Sequence, residues 1–116
     1  NRFVGNNIIG QQIFLYLHAR GIWFVNSSNN MIYYNNIVNC TYQAQVSDSI
    51  NVWDDGYLGN YWSDYFVRYP NATQIDGLGI GDTPFYINEN NIDRFPLLEP
   101  IIISEFSSLI MLSVIS

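Results

Sequence analysis

"GIWFVNSSNNMIYYNNIVN" (Gly21 to Asn39) aligns with "QAQVSDSINVWDDG" (Gln43 to Gly56) at an offset of 22. Phe24 then matches Val46, Asn26 matches Asp48, Ser27 matches Ser49 and Asn29 matches Asn51. "NRFVGNNII" (Asn1 to Ile9) aligns in turn with "NMIYYNNIV" (Asn30 to Val38) at an offset of 29, the extra residues falling around "QQIFLYL". The shared signature is Asn, an apolar pair, two residues, Asn-Asn, then Ile. The unit is too short for two packed helices, and its apolar segments are separated by Asn, Ser and Gly. Short β-branched and aromatic runs between turn residues are strand chemistry, and Asn tolerates the left-handed conformation of tight corners. Strands repeating at this period predict an all-β chain, a right-handed parallel β-helix represented by its last two to three coils. Ile8, Ile37, Ile32, Phe24 and Val46 are expected to point inward, with Asn6, Asn7, Asn35 and Asn36 in ladders at the corners. The alternative is an antiparallel sandwich. The chain opens at Asn1 in mid-pattern, so further coils of the same full-length chain are expected before it.

Composition narrows the function classes. The chain has 116 residues, 48% hydrophobic and only 12% charged, with a formal charge of −6 and no lysine. A nucleic-acid partner needs a basic stripe, which is missing, and so much apolar content excludes a disordered tail. Cys40 stands alone, so no internal disulfide can form. Sequons at Asn26, Asn39 and Asn71 point to an exported glycoprotein. The tail from Pro100 to Ser116 is almost wholly apolar. It reads either as a buried terminal element or as the start of a membrane anchor, shorter than the ~20 residues a spanning helix needs. The expected organisation is coils over 1–52, a cap and extension over 53–99, and the tail over 100–116.

Beyond Trp53 the pattern changes. "WDDGYLGNYWSDY" (Trp53 to Tyr65), "DGLGIGDTPFYI" (Asp76 to Ile87) and "DRFPLL" (Asp93 to Leu98) together resemble the C-terminal end of NosD-like right-handed β-helix surface proteins. These carry the carbohydrate-binding and sugar-hydrolase repeat and are abundant in archaea and bacteria. The tail is similar to the archaeal C-terminal anchor, with Ser104 where that motif has Pro. The resemblance implies an extracellular, membrane-anchored location and further coils as partners. It also raises cell-surface glycans and assembly of a copper site as possible activities.

Cu(I) calls for a compact Cys, Met and His cluster, whereas His18, Met31, Cys40 and Met111 are widely spaced. Relatives carry an acidic calcium loop. Here its positions read Gln74, Asp76, Leu78 and Asp82, so Asp76 and Asp82 are the remaining carboxylates, expected first to bond backbone amides. No cofactor is therefore expected. Glycosidases need two carboxylates at a set separation, but Asp54 and Asp55 are neighbours and Asp48, Asp64 and Asp93 are single. No enzyme activity is expected in this chain. Trp53, Tyr57, Tyr61, Trp62 and Tyr65 offer flat faces to a glycan, or else cover the last coil, whose open edge must be closed. The expected role is structural, closing and tethering the solenoid outside the cell. The alternatives are a carbohydrate-binding or processing protein with its site in upstream coils, and copper-site maturation.

Overall fold

The computed structural model describes residues 1–10 and 20–102. Its corners are set by the residues that punctuate the repeat. Gly5 and Tyr34 occupy the same corner 29 residues apart, both with positive φ (71° and 58°). Asn26 and Asp48 occupy another, 22 apart, at φ 49° each. Asn, Asp and Gly reach this region cheaply and Tyr does not. Tyr34 is held there by its neighbours: the Gly5 amide donates to its carbonyl, and its own amide donates to the Gly59 carbonyl.

Between corners run short strands: β1 (Arg2–Val4), β2 (Asn7–Ile9), β3 (Arg20–Val25), β4 (Met31–Tyr33), β5 (Asn36–Val38), β6 (Tyr42–Ser47) and β7 (Tyr61–Trp62). β1 pairs with β4, β2 with β5 and β3 with β6, all parallel. The two sequence offsets reappear as register, with Ile8 opposite Ile37 and Phe24 opposite Val46. β7 adds a third layer on β5, setting Trp62 against Ile37. The repeat therefore continues past Trp53: Gly59-Asn60-Tyr61-Trp62 takes the places of Tyr34-Asn35-Asn36-Ile37.

The chain then leaves the pattern. A four-residue helix, α1 (Tyr65–Arg68), precedes an antiparallel hairpin of β8 (Phe85–Asn88) and β9 (Asn91–Asp93). The expected right-handed parallel β-helix is thus corrected. The described residues form four separate sheets of two or three strands, one of them antiparallel, together with α1, and no closed solenoid. Strands of two to six residues broken by left-handed corners give only short ladders. After β7 the chain turns across the stack instead of adding a full layer.

The core lies between the sheets. Ile32, Ile37, Trp53, Trp62, Tyr65 and Phe85 are its buried centre. Rings run through it in sequence: Phe3 to Phe24 at 5.9 Å between centroids, Phe24 to Trp53 at 6.1 Å, Trp53 to Trp62 at 5.8 Å, and Trp62 to Phe85 at 4.1 Å. Tilted and offset ring pairs add stabilisation beyond area burial.

Candidate functional site: the closed end of the strand stack

The most organised polar constellation is a ladder through the core edge. Asn6 donates its backbone amide and its Nδ2 to the Asn35 Oδ1, both at 3.0 Å. Asn35 does the same to Asn60 Oδ1, at 3.2 and 3.0 Å. Asn60 repeats the pattern onto the Asp93 carboxylate, at 2.7 Å from its amide and 3.3 Å from Nδ2. Asp93 accepts these N–H groups and has no amide of its own to continue the row, so the ladder ends there.

A second ladder runs beside it. Asn30 donates twice to Asn51 Oδ1, both at 2.9 Å, and the Asn51 amide donates to Asn91 Oδ1 at 2.9 Å. Both ladders end on β9, whose alternating residues Asn91 and Asp93 face inward while Ile92 faces out. The two core indoles end on the same pair. Trp53 Nε1 donates to Asn91 Oδ1 at 3.0 Å, and Trp62 Nε1 to Asp93 Oδ2 at 2.8 Å. Trp62 also lies flat on Phe85, 5° from parallel. Gly59 has no room for a side chain, since a β-carbon there would overlap the Asp93 carboxylate.

The two buried carboxylates of this end titrate in opposite directions. Burial pushes Asp93 up to about 7, against the pull of the Trp62, Asn60 and Phe95 N–H donors, and the charge of Asp54 adds to the rise. Asp54 is 1% exposed. Its burial is outweighed by the Arg94 side chain and amide and by the Gly56 amide, which hold it below the usual carboxylate value. Arg94 grips Asp54 with Nη2 at 2.7 Å and Nε at 3.1 Å, a bidentate geometry suited to guanidinium.

The sequence-predicted residues fall as follows. Trp53 and Trp62 are fully buried and Tyr65 is 2% exposed, so none of these rings has a face open to a sugar. Tyr61 is half-buried on β7, and Tyr57 is 79% exposed, standing apart from the core. Asp55 accepts the Tyr57 and Leu58 amides, closing a turn. Asp82 accepts the Thr73 amide and hydroxyl, which hold its carboxyl low, and Asp76 sits exposed at φ 36°. Among the described residues no three His, Cys, Asp or Glu side chains gather as a metal site. Cys40 is half-buried, with its thiol pushed up by burial, and Met31 lies on β4. His18, Met111 and the tail from residue 103 lie outside the described residues. Among the described residues no helix is long and apolar enough to cross a membrane. Asn26, Asn39 and Asn71 are all exposed.

Sequence reading missed Asn60, Asn91 and Asp93 as a set. A signal existed for Asn60, because Asn60-Tyr61-Trp62 repeats the Asn-x-apolar run Asn35-Asn36-Ile37 at an offset of 25. No family model matches the chain, and neither a curated protein nor a solved structure matches it.

The ladder makes Asp an acceptable rung only at its end. Asn60 Nδ2 also donates to the Ile32 and Trp53 carbonyls, at 2.9 Å each. Asn60→Asp would turn that donor into an acceptor facing two carbonyls and a carboxylate. This isosteric change is expected to cost about 2–3 kcal/mol in urea unfolding at neutral pH. A change within error would show that the ladder hydrogen bonds contribute nothing net.

Proposed function

We propose that this chain is the non-catalytic closing end of a cell-surface protein, with the segment from Trp53 to Leu97 sealing a stack of short parallel strands. The observation that carries this reading is the pair of last rungs, Asn91 and Asp93. They come from one short strand and satisfy the donors of both ladders and both core indoles. Exposed strand edges invite further pairing, and natural sheets cover them. Burial of Trp53, Trp62, Tyr65 and Phe85 supports use of these rings as a plug. The resemblance to NosD-like proteins agrees with it. Three exposed sequons support the surface location.

The test is the double substitution Asn91→Ala with Asp93→Ala. The variant is expected to bind a hydrophobic dye and self-associate in sedimentation. Amide exchange at Ile37 and at Gln43–Val46 is expected to accelerate. A monomer with unchanged protection there would overturn the closing role.

A further inference from the structure

The segment that follows the hairpin is fastened to the stack at two separate places. The first is strand pairing beside β7. Leu97 bridges Tyr61 in parallel and Ile80 in antiparallel sense. Its amide donates to the Asn60 carbonyl at 2.9 Å, and the Leu98 amide donates to the Gly79 carbonyl at 3.0 Å. The second place is β5, on the far side of β7. There the Asn36 Nδ2 donates to the Ile101 carbonyl, and the Ile101 amide donates to the Asn36 Oδ1, both at 2.7 Å. A primary amide carries donors and an acceptor side by side. Asn36 therefore meets both backbone groups of Ile101 as a neighbouring strand would. Asn36 is 4% exposed, and its Nδ2 also donates to Asn7 Oδ1 at 2.6 Å. It sits on the middle strand of its sheet, with Asn7 paired on one side and Tyr61 on the other.

This second fastening changes where tension on the chain enters the fold. Ile102 is 91% exposed, and Ile101 is the last described residue hydrogen-bonded to the stack. A pull from beyond Ile102 therefore reaches Ile101 first. Without Asn36 the same pull would fall on Leu98 and Leu97, each held by one amide hydrogen bond. Next in line are Asp93 and Asn91, the last rungs of both ladders. Tension would then peel β9 from the stack and open the closed end.

We infer that Asn36 is a clasp that passes tension from the C-terminal segment into β5, and so keeps the closing segment seated under load. Tension of this kind arises where a chain is held at a surface, and to that extent the clasp rests on the function proposed above.

Optical tweezers test the clasp on the whole chain. One handle is attached at Val25→Cys, an exposed position on β3, in a Cys40→Ser background, and the other at the C-terminus. The waiting time before the first opening is recorded at fixed force. Asn36→Ala is expected to open about tenfold sooner, the scale of losing two ordinary hydrogen bonds. Ile101→Pro breaks the clasp from the other side by removing the amide, and is expected to do the same if Asn36→Ala does not fold. Glu99→Ala, an exposed change in the same segment, is expected to leave the time unchanged. At rest, amide exchange of Leu97 is expected to be the same in Ile101→Pro as in the parent chain. Unchanged waiting times in the clasp variants would overturn the inference. So would faster Leu97 exchange at rest by the same factor, which would make Ile101 a general stabilising contact. Protease added to intact cells that express the protein tests the surface reading by itself: a chain left uncut would overturn that reading and leave the tweezers result standing.

Discussion

Trp62→Ala is expected to lower stability by about 4 kcal/mol, read from urea unfolding followed by far-ultraviolet circular dichroism. Trp62 is wholly buried, stacks on Phe85 at 4.1 Å and meets Trp53 at 5.8 Å. Truncation would leave a cavity between the strand stack and the closing segment. It would also remove one of the N–H donors that hold the buried Asp93 carboxylate. The two losses are separable. Trp62→Phe restores much of the volume but not the indole donor, so it is expected to recover only part of the stability. Full recovery would show that the hydrogen bond to Asp93 contributes nothing. A loss under about 1 kcal/mol for Trp62→Ala would contradict the ring's place at the centre of the core.

Stability is expected to fall by about 4 kcal/mol as pH rises from about 4 to about 7, and to level off above that. Asp93 is the source. With its folded value raised to about 7 from 3.8, the folded chain holds a proton that the unfolded chain has released. Across that window ionisation therefore favours unfolding. Asp54 acts in the opposite sense. Its lowered folded value contributes stability above the usual carboxylate range that is lost as pH falls through that value. Together they place maximum stability in mildly acidic solution. Melting temperatures between pH 3 and 8 test this, with Asp93→Asn as the comparison. The asparagine variant is expected to lose the decline between pH 4 and 7 while keeping the acid limb due to Asp54. A decline retained in Asp93→Asn would assign it to another group.

The register was legible in the sequence because each strand carries its own copy of one local pattern. Asn, apolar pair, corner, Asn, apolar is enough to set Ile8 on Ile37 and Phe24 on Val46. Asn6, Asn7, Asn35 and Asn36, expected at corners, lie just past them. Corner chemistry could still be read in Asn26 and Asp48, types that accept positive φ. Tyr34 could not, because its conformation is imposed by pairing with Gly5 and Gly59. The closed form expected from the period did not follow either. Periodicity predicts which strands pair, but not whether sheets this short join.

The candidate site was harder to read for a different reason. Aromatic density over Trp53 to Tyr65 marked the right segment, but it did not distinguish a face offered to a sugar from a ring in the core. That depends on the hairpin some 30 residues later that covers them, bonded to Trp62 across 31 positions. Asp93 looked like one single carboxylate among several. Its environment comes from Asn60, Trp62 and Phe95, and only two of these precede it at long range. A group whose chemistry is set by distant donors leaves no pattern of its own nearby.

The Asn6, Asn35 and Asn60 amides all point their donors the same way. They therefore form a short row of aligned dipoles, a side-chain counterpart of the peptide dipoles that add along a helix. The positive end of that row meets the Asp93 carboxylate, and its negative end emerges at the Asn6 carbonyl. The stack is thus polar along its axis. A hydrogen-bond acceptor is matched at one end and an N–H donor at the other, so segments meeting the two ends are not interchangeable.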